Sequence, residues 1–294
     1  MARLGFVGTG TMGAPMVHCL VEGGHAPMVQ DASLEAVRAV ADRDGLQVAG
    51  SPAALAGECD TVILMLPNSA IVRAVCLGDD GLTARLAPGS VIVDMSSSDP
   101  LETRRLGAEL ADRGIVLLDA PVSGGLRKAV SGSLAIMLGG DDAAAMDAVE
   151  PILATMGKVF RAGPLAAGHA TKALNNYVSA AGLVAACEAV IMARDFGLDP
   201  ERMTEIINAS TGRNNSTENK IIQFVLSDRF REAGFGLRLM AKDVGLAAQL
   251  ARETGRPMPG VSAISDIWTE AAERLEPGAD HTEIFRYLDS IARP

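Results

Sequence analysis

The sequence predicts an α/β fold: an N-terminal, doubly wound sheet joined by one long helix to an all-α C-terminal domain. Three observations carry this. Short apolar runs alternate with helical patterns through the first half, which implies a mostly parallel sheet covered on both faces. Strand signals stop after about Gly163. From Leu165 to Phe196 a single stretch rich in Ala, Val, Leu and Ile follows. The expected domains are therefore 1–163 and 164–294, with no flexible linker between them.

The strands are expected at Leu4 to Val7, Pro27 to Gln30, Thr61 to Leu66, Ser90 to Asp94, Ile115 to Asp119 and Ser133 to Leu138, with a last short one at Val159-Phe160. Helices are expected from Met12 to Glu22, Ser33 to Asp42 and Leu101 to Arg113. The long stretch stops at Gly197, a residue suited to a left-handed C-cap. From Val178 to Ala193 its only charge is Glu188, so it must be covered on most sides. Pro200 to Ala209 and Val244 to Thr254 read as further helices.

A chain of 294 residues agrees with two domains. Lys and Arg total 26 against 36 Asp and Glu, a formal charge of −10. That balance argues against a generic grip on nucleic-acid phosphates, which rests on clustered positive charge. No unbroken apolar run reaches the length of a membrane span, so no membrane partner is expected. The four cysteines, Cys19, Cys59, Cys76 and Cys187, are scattered and read as reduced thiols. The N-terminus runs straight into a strand without the apolar core of a secretory signal. A cytoplasmic protein is expected. His18, His25 and His281 are scattered, and no metal site is expected.

Gly8-Thr9-Gly10-Thr11-Met12-Gly13 lies between the first strand and the first helix. Gly8 permits the tight turn, Gly10 lets backbone approach a pyrophosphate, and Gly13 allows helix to pack on strand. The free N–H groups and dipole at the helix start attract phosphates. This is the context expected of a dinucleotide site. Asp31 follows the second strand, 18 residues after Gly13. An acid there accepts hydrogen bonds from ribose hydroxyls and repels a 2′-phosphate, which favours NAD and leaves NADP possible. A solvated loop carboxylate is the alternative.

Asp119-Ala120-Pro121-Val122-Ser123-Gly124-Gly125 leaves a strand end. Ser123, Gly124 and Gly125 can present successive N–H groups to a substrate carboxylate, or form an ordinary turn. On the long helix, Lys172 and Asn176 are four apart and share a face, with His169 at i−3. Hydride transfer to a carbonyl leaves an alkoxide that needs a proton and a positive partner. A buried lysine, its pKa lowered from about 10.4 toward neutrality, supplies both. A lysine snorkelling to solvent satisfies the same spacing. His169 reads as structural or supporting rather than catalytic.

Together these segments resemble the β-hydroxyacid dehydrogenase family, which includes 3-hydroxyisobutyrate dehydrogenase and tartronate semialdehyde reductase. The resemblance spans nearly the whole chain. It rests on Gly8 to Met16, Met65 to Ser69, Asp94 to Ser97, Asp119 to Gly125, Gly168 to Asn176 and Lys242-Asp243, in that order. It implies a Rossmann domain, a long interdomain helix, and homodimers or homotetramers built through the helical half. It implies that Lys172 is the catalytic acid/base and that Asn176 contacts substrate and lysine. Ser123 and Gly124 match the substrate-carboxylate loop. Leu66, Pro67, Ser96 and Ser97 match the nicotinamide contacts, and Lys242 a lysine that reaches the cofactor. The family's serine-threonine pair is Ser96-Ser97 here, which keeps the hydroxyl.

The implied reaction is reversible, NAD-dependent oxidation of a small 3-hydroxy acid to its semialdehyde or 3-oxo acid. Tartronate semialdehyde reduction and β-hydroxy amino acid oxidation share that mechanism. A non-catalytic NAD-binding sensor is the reading from a different class. The polar segment Ser210 to Thr217 matches none of these motifs. It either lines the pocket through Arg213 or Asn214, or forms an exposed loop.

Overall fold

The structure, a computed structural model, describes residues 3–292. It divides into two compact units, Met1–Lys172 and Ala173–Pro294.

The first unit is built on eight strands: β1 Leu4–Val7, β2 Met28–Gln30, β3 Thr61–Leu64, β4 Val91–Asp94, β5 Val116–Asp119, β6 Val122–Ser123, β7 Leu134–Gly139 and β8 Gly157–Gly163. Their order is β2-β1-β3-β4-β5-β7-β6, with β8 paired to β7. From β2 to β5 all pairs are parallel, with Phe6 beside Val29 and Ile63, and Val93 beside Leu118. Both faces are covered, so neighbouring residues enter different cores. Phe6, Ile63, Val93 and Leu118 pack with Met16, Leu20 and Leu153. Val7, Val62, Leu64, Ile92 and Leu117 pack with Leu55, Leu82 and Leu110. Double burial explains why these strands read as continuous apolar runs.

The sheet is mostly parallel, as expected; the exception is β7, which runs antiparallel to β5 and β6 while pairing in parallel with β8. Apolar runs carry no record of strand direction. One expectation is corrected here: the terminal strand is seven residues, Gly157–Gly163, rather than the pair Val159-Phe160. Its glycine ends and Lys158 and Arg161 hid its length.

The helices of this unit are α1 Gly13–Glu22, α2 Leu34–Asp44, α3 Pro52–Ala56, α4 Ser69–Leu77, α5 Pro100–Ala111, α6 Gly125–Val130 and α7 Ala143–Leu153. Five are capped by side chains. Ser33, Ser51, Asn68, Asp99 and Asp142 accept from Ala36, Ala54, Ile71, Leu101 and Ala145 N–H groups at 2.8–3.2 Å. Each such cap is worth about 1 kcal/mol.

Helix α8, Ala167–Phe196, has 30 residues and ends at Gly197 with φ +92°. The second unit continues with α9 Pro200–Asn208, α10 Asn215–Asn219, α11 Leu237–Glu253, α12 Pro259–Arg274 and α13 Ile284–Ala292. Its core joins Leu183, Val184, Cys187 and Val190 of α8 to Met240, Val244, Trp268, Tyr287 and Leu288. Helix α11 starts seven residues before the expected Val244.

Within one chain, α8 is covered around only part of its circumference. Val178, Met192 and Phe196 are 67%, 66% and 84% exposed. Spaced 14 and 18 residues from Val178, Met192 and Phe196 fall within about 40° of it around the helix. Leu174 and Ala185 extend the same stripe. The helix also has an 18-residue window of mean hydropathy 1.5, so it passes a length-and-composition test for a membrane span despite lacking an unbroken apolar run. Half of that window is buried, as in the core helix of a folded unit.

Candidate functional site

The order β2-β1-β3 reverses the direction of winding at β1. In open α/β sheets ligands bind outside the strand ends at such a point. Gly8 follows β1 there, and Leu66 lies just beyond β3. Gly8 has φ +99°, and a Cβ on it would lie 2.2 Å from Met65 O. A Cβ on Gly13 would lie 1.8 Å from Gly8 O, whereas Gly10 faces open space. Thr11 is exposed, and Met12 is the N-cap of α1.

Unlike its five capped neighbours, α1 has no side-chain cap at its N-terminus and no acid in its first turn. The turn that leads into it has open space at Gly10. This fits a pyrophosphate. Asp31 adjoins the same turn: Oδ2 accepts from Thr9 N at 2.6 Å and Thr9 Oγ1 at 3.4 Å, and Oδ1 from Ser33 N at 2.8 Å. The Gly-rich turn and the acid after β2 are thus brought together.

A second cluster gathers at the ends of β3, β4 and β5. Leu66 N donates to Ser96 Oγ at 2.9 Å, joining two of the predicted nicotinamide contacts. Pro67 is exposed and Ser97 half-buried. Asp94 accepts from Ser96 N at 2.9 Å and from Ser98 Oγ at 2.7 Å. Asp119 is fully buried and accepts from the backbone N–H groups of Ala166 and His169, both at 2.7 Å. Burial raises its carboxyl above the ordinary value, while His169 and those two N–H groups pull it down. Lys172 follows one turn later on α8 and is half-buried.

Ser123 ends β6, at the sheet edge beyond β7. The strands β4, β5 and β7 therefore separate it from β3. Gly124 has φ +134° and caps α6 without a side chain; Gly125 has φ +64°. Helix α6 packs against α1, whose Cys19 thiol donates to Ala129 O.

In the second unit, Asn176 and Asp243 are both buried, and Asn176 Nδ2 donates to Asp243 Oδ2 at 2.6 Å. Asn176 Oδ1 accepts from Asn175 at 3.1 Å. Lys242 Nζ lies 3.4 Å from Asp243 Oδ1, an ion pair without hydrogen-bond geometry. Asn176 and Lys242 are therefore linked through Asp243, to which the sequence alone assigned no role.

The polar segment 210–217 forms a capping box. Asn214 Oδ1 accepts from Ser216 N and Thr217 N, and Asn214 N donates to Thr217 Oγ1 at 2.9 Å. Arg213 pairs with Glu218 at 3.6 Å on the surface.

Residues 3–190 match the NAD binding domain of 6-phosphogluconate dehydrogenase, and residues 166–288 the NAD-binding domain of NADP-dependent 3-hydroxyisobutyrate dehydrogenase. The chain is 35% identical to 2-(hydroxymethyl)glutarate dehydrogenase of Eubacterium barkeri, covering 90% of this chain and 88% of that one. It is 36% identical to NAD-dependent L-serine dehydrogenase of Pseudomonas aeruginosa, covering 88% of each. Among solved structures, 3-hydroxyisobutyrate dehydrogenase of Mycobacterium tuberculosis with L-serine superposes with a TM-score of 0.88 at 32% identity. That superposition covers 98% of this chain and 99% of the other. With a Gly-rich turn fit for a dinucleotide, and matches along nearly its full length, the chain belongs to the β-hydroxyacid dehydrogenase family of NAD(P)-dependent oxidoreductases.

Proposed function

We propose that this enzyme interconverts a small 3-hydroxy acid and its semialdehyde or 3-oxo acid, with NAD preferred over NADP and Lys172 as the acid/base. The observation that carries the reading is the placement of Lys172 and Asn176 one turn apart on α8, with Asn176 held by Asp243. The names of the relatives support the substrate class. Hydroxymethylglutarate, serine and 3-hydroxyisobutyrate all carry a hydroxyl on the carbon β to a carboxylate.

When bound, the nicotinamide would supply hydride-transfer chemistry at the hydroxyl-bearing carbon. The chain's residues do the rest. Lys172 takes the hydroxyl proton during oxidation and returns it to the oxygen during reduction. Its ammonium also stabilises negative charge on that oxygen. Asn176 orients the hydroxyl. The N–H groups of Ser123, Gly124 and Gly125 hold the substrate carboxylate. Gly8, Gly10, Thr11, Met12 and Gly13 hold the pyrophosphate, Asp31 the adenosine ribose, and Leu66, Pro67, Ser96, Ser97 and Lys242 the nicotinamide half.

The exposed apolar stripe of α8 supports a homodimer or homotetramer. Four buried, unpaired thiols support a reducing, cytoplasmic setting. The test is absorbance at 340 nm with NAD or NADP and a panel of 3-hydroxy acids. The panel holds 3-hydroxyisobutyrate, 3-hydroxypropionate, glycerate, L-serine, threonate and 2-(hydroxymethyl)glutarate. Turnover with at least one is expected, faster with NAD. A blank across the panel, with NAD still bound, overturns the reading in favour of a sensor. Lys172→Ala is expected to bind NAD and lose ~10²–10⁴-fold in kcat. Asp31→Ala is expected to narrow the NAD/NADP ratio of kcat/KM.

A further inference from the structure

We propose that His169 is a positioning residue: a buried cation, with a hydrogen on both ring nitrogens, that fixes the first turn of α8 and hence Lys172. The catalytic part of this proposal rests on the reading of Lys172 given above; the charge on the ring does not.

The His169 side chain has no solvent exposure. Four groups face it from three other elements. Nε2 lies 3.1 Å from Ser96 O and 3.7 Å from Asp94 Oδ2, both at the end of β4. Nδ1 lies 2.8 Å from Thr103 Oγ1 on α5 and 3.7 Å from Asp119 Oδ2 at the end of β5. On its own helix, Lys172 follows at i+3.

A carbonyl only accepts, so Nε2 carries a hydrogen. The Thr103 hydroxyl has an acceptor of its own, Asp99 O at 2.9 Å. With its hydrogen directed there, Thr103 accepts from Nδ1, and the ring donates at both nitrogens. Electrostatics favour the same state. Asp94 and Asp119 are 2% and 0% exposed. Burial and the field of Asp94 both raise the Asp119 carboxyl, and charge on His169 opposes them, so a cation between the two acids offsets the cost of ionising them in the interior.

The result is a clamp with three attachments at one helix start. Asp119 takes the backbone N–H groups of Ala166 and His169, and the His169 ring returns to Asp119, Asp94 and the Ser96 carbonyl. The same ring thus fixes the Ser96-Ser97 backbone and the turn that leads to Lys172. Displacing a reacting group by about 1 Å costs on the order of 10²-fold in rate.

The test uses the holoenzyme with NAD and has two arms. Long-range ¹H–¹⁵N spectra of histidine-labelled protein at pH 7 read both ring nitrogens of His169, identified by the resonances that move in Thr103→Val. Two protonated nitrogens are expected, and a lone-pair nitrogen on His169 overturns the cation. In steady-state kinetics, Thr103→Val and His169→Gln are each expected to lower kcat roughly 10- to 100-fold with KM for NAD within about twofold. A folded Thr103→Val enzyme with kcat within about twofold of the parent overturns the positioning role. Full turnover in Lys172→Ala would remove the lysine reading alone, because the spectra still decide the charge on the ring.

Discussion

Asn176 on α8 donates to Asp243 on α11 across 2.6 Å, and both side chains are buried. The bond fixes which way the Asn176 amide points. Asp243→Leu removes the acceptor and leaves the amide unpaired, a loss of about 1–3 kcal/mol. The expected outcome is a melting temperature several degrees lower by calorimetry, with kcat/KM reduced for every substrate the parent accepts. An unchanged melting temperature would show that the bond contributes nothing net.

Gly10 and Gly13 belong to one turn but meet different surroundings. Gly13→Ala drives a Cβ onto Gly8 O, a rigid backbone atom. Loss of soluble, folded protein is expected, read by circular dichroism and expression. Gly10→Ala meets nothing within 4 Å, so the fold is expected to persist. NAD affinity is expected to fall at least roughly tenfold by calorimetric titration, because the methyl enters the space assigned to the pyrophosphate. Equal behaviour of the two variants would contradict the assignment.

Lys220 follows α10. Burial pushes its ammonium down to about 8, opposed by the nearby Asp280 carboxylate. Below pH 8 the folded and unfolded chains both hold this proton. Between about 8 and the ordinary 10.5, the unfolded chain holds a proton that the folded chain has released, so this group's contribution to stability rises with pH. Relative to Lys220→Met, the parent is expected to gain on the order of 2 kcal/mol between pH 7 and pH 10.5 in urea titrations. A flat difference would refute the shift.

The thiols act in the opposite sense over that window. Burial raises Cys59 to about 11 and pushes Cys19, Cys76 and Cys187 up as well. An unfolded chain ionises them first, so stability is lost above about pH 9. The same burial predicts that a thiol reagent such as DTNB titrates four cysteines in guanidinium chloride, and reacts with the native enzyme at least roughly 100-fold more slowly. Rapid reaction of any native thiol would contradict its buried placement.

The strands on either side of the winding reversal were legible because both their faces are buried, so Leu4 to Val7 and Val62 to Leu64 carry no polar side chain. The two-residue β6 was not, since Pro121 and the glycines after Ser123 carry turn character. The start of α11 was masked by Arg238, Lys242 and Asp243. Leu237, Met240, Val244 and Ala247 nevertheless keep a helical period across those charges. At the site, the Gly-rich turn and Asp31 were readable because their chemistry is local. The His169 cluster was not: its bonds join residues 50 to 73 positions apart in the chain. No local pattern records such partners.

Asp31 has a double duty that bears on redesign. Its carboxylate anchors Thr9 and Ser33 as well as standing where we propose that the ribose binds. Swapping it for a small neutral residue to admit a phosphorylated ribose would therefore slacken the turn proposed to cradle the diphosphate. Engineers seeking the other coenzyme would do better to retain an acceptor at 31 and introduce a guanidinium at 32, trading repulsion for attraction without dismantling the loop.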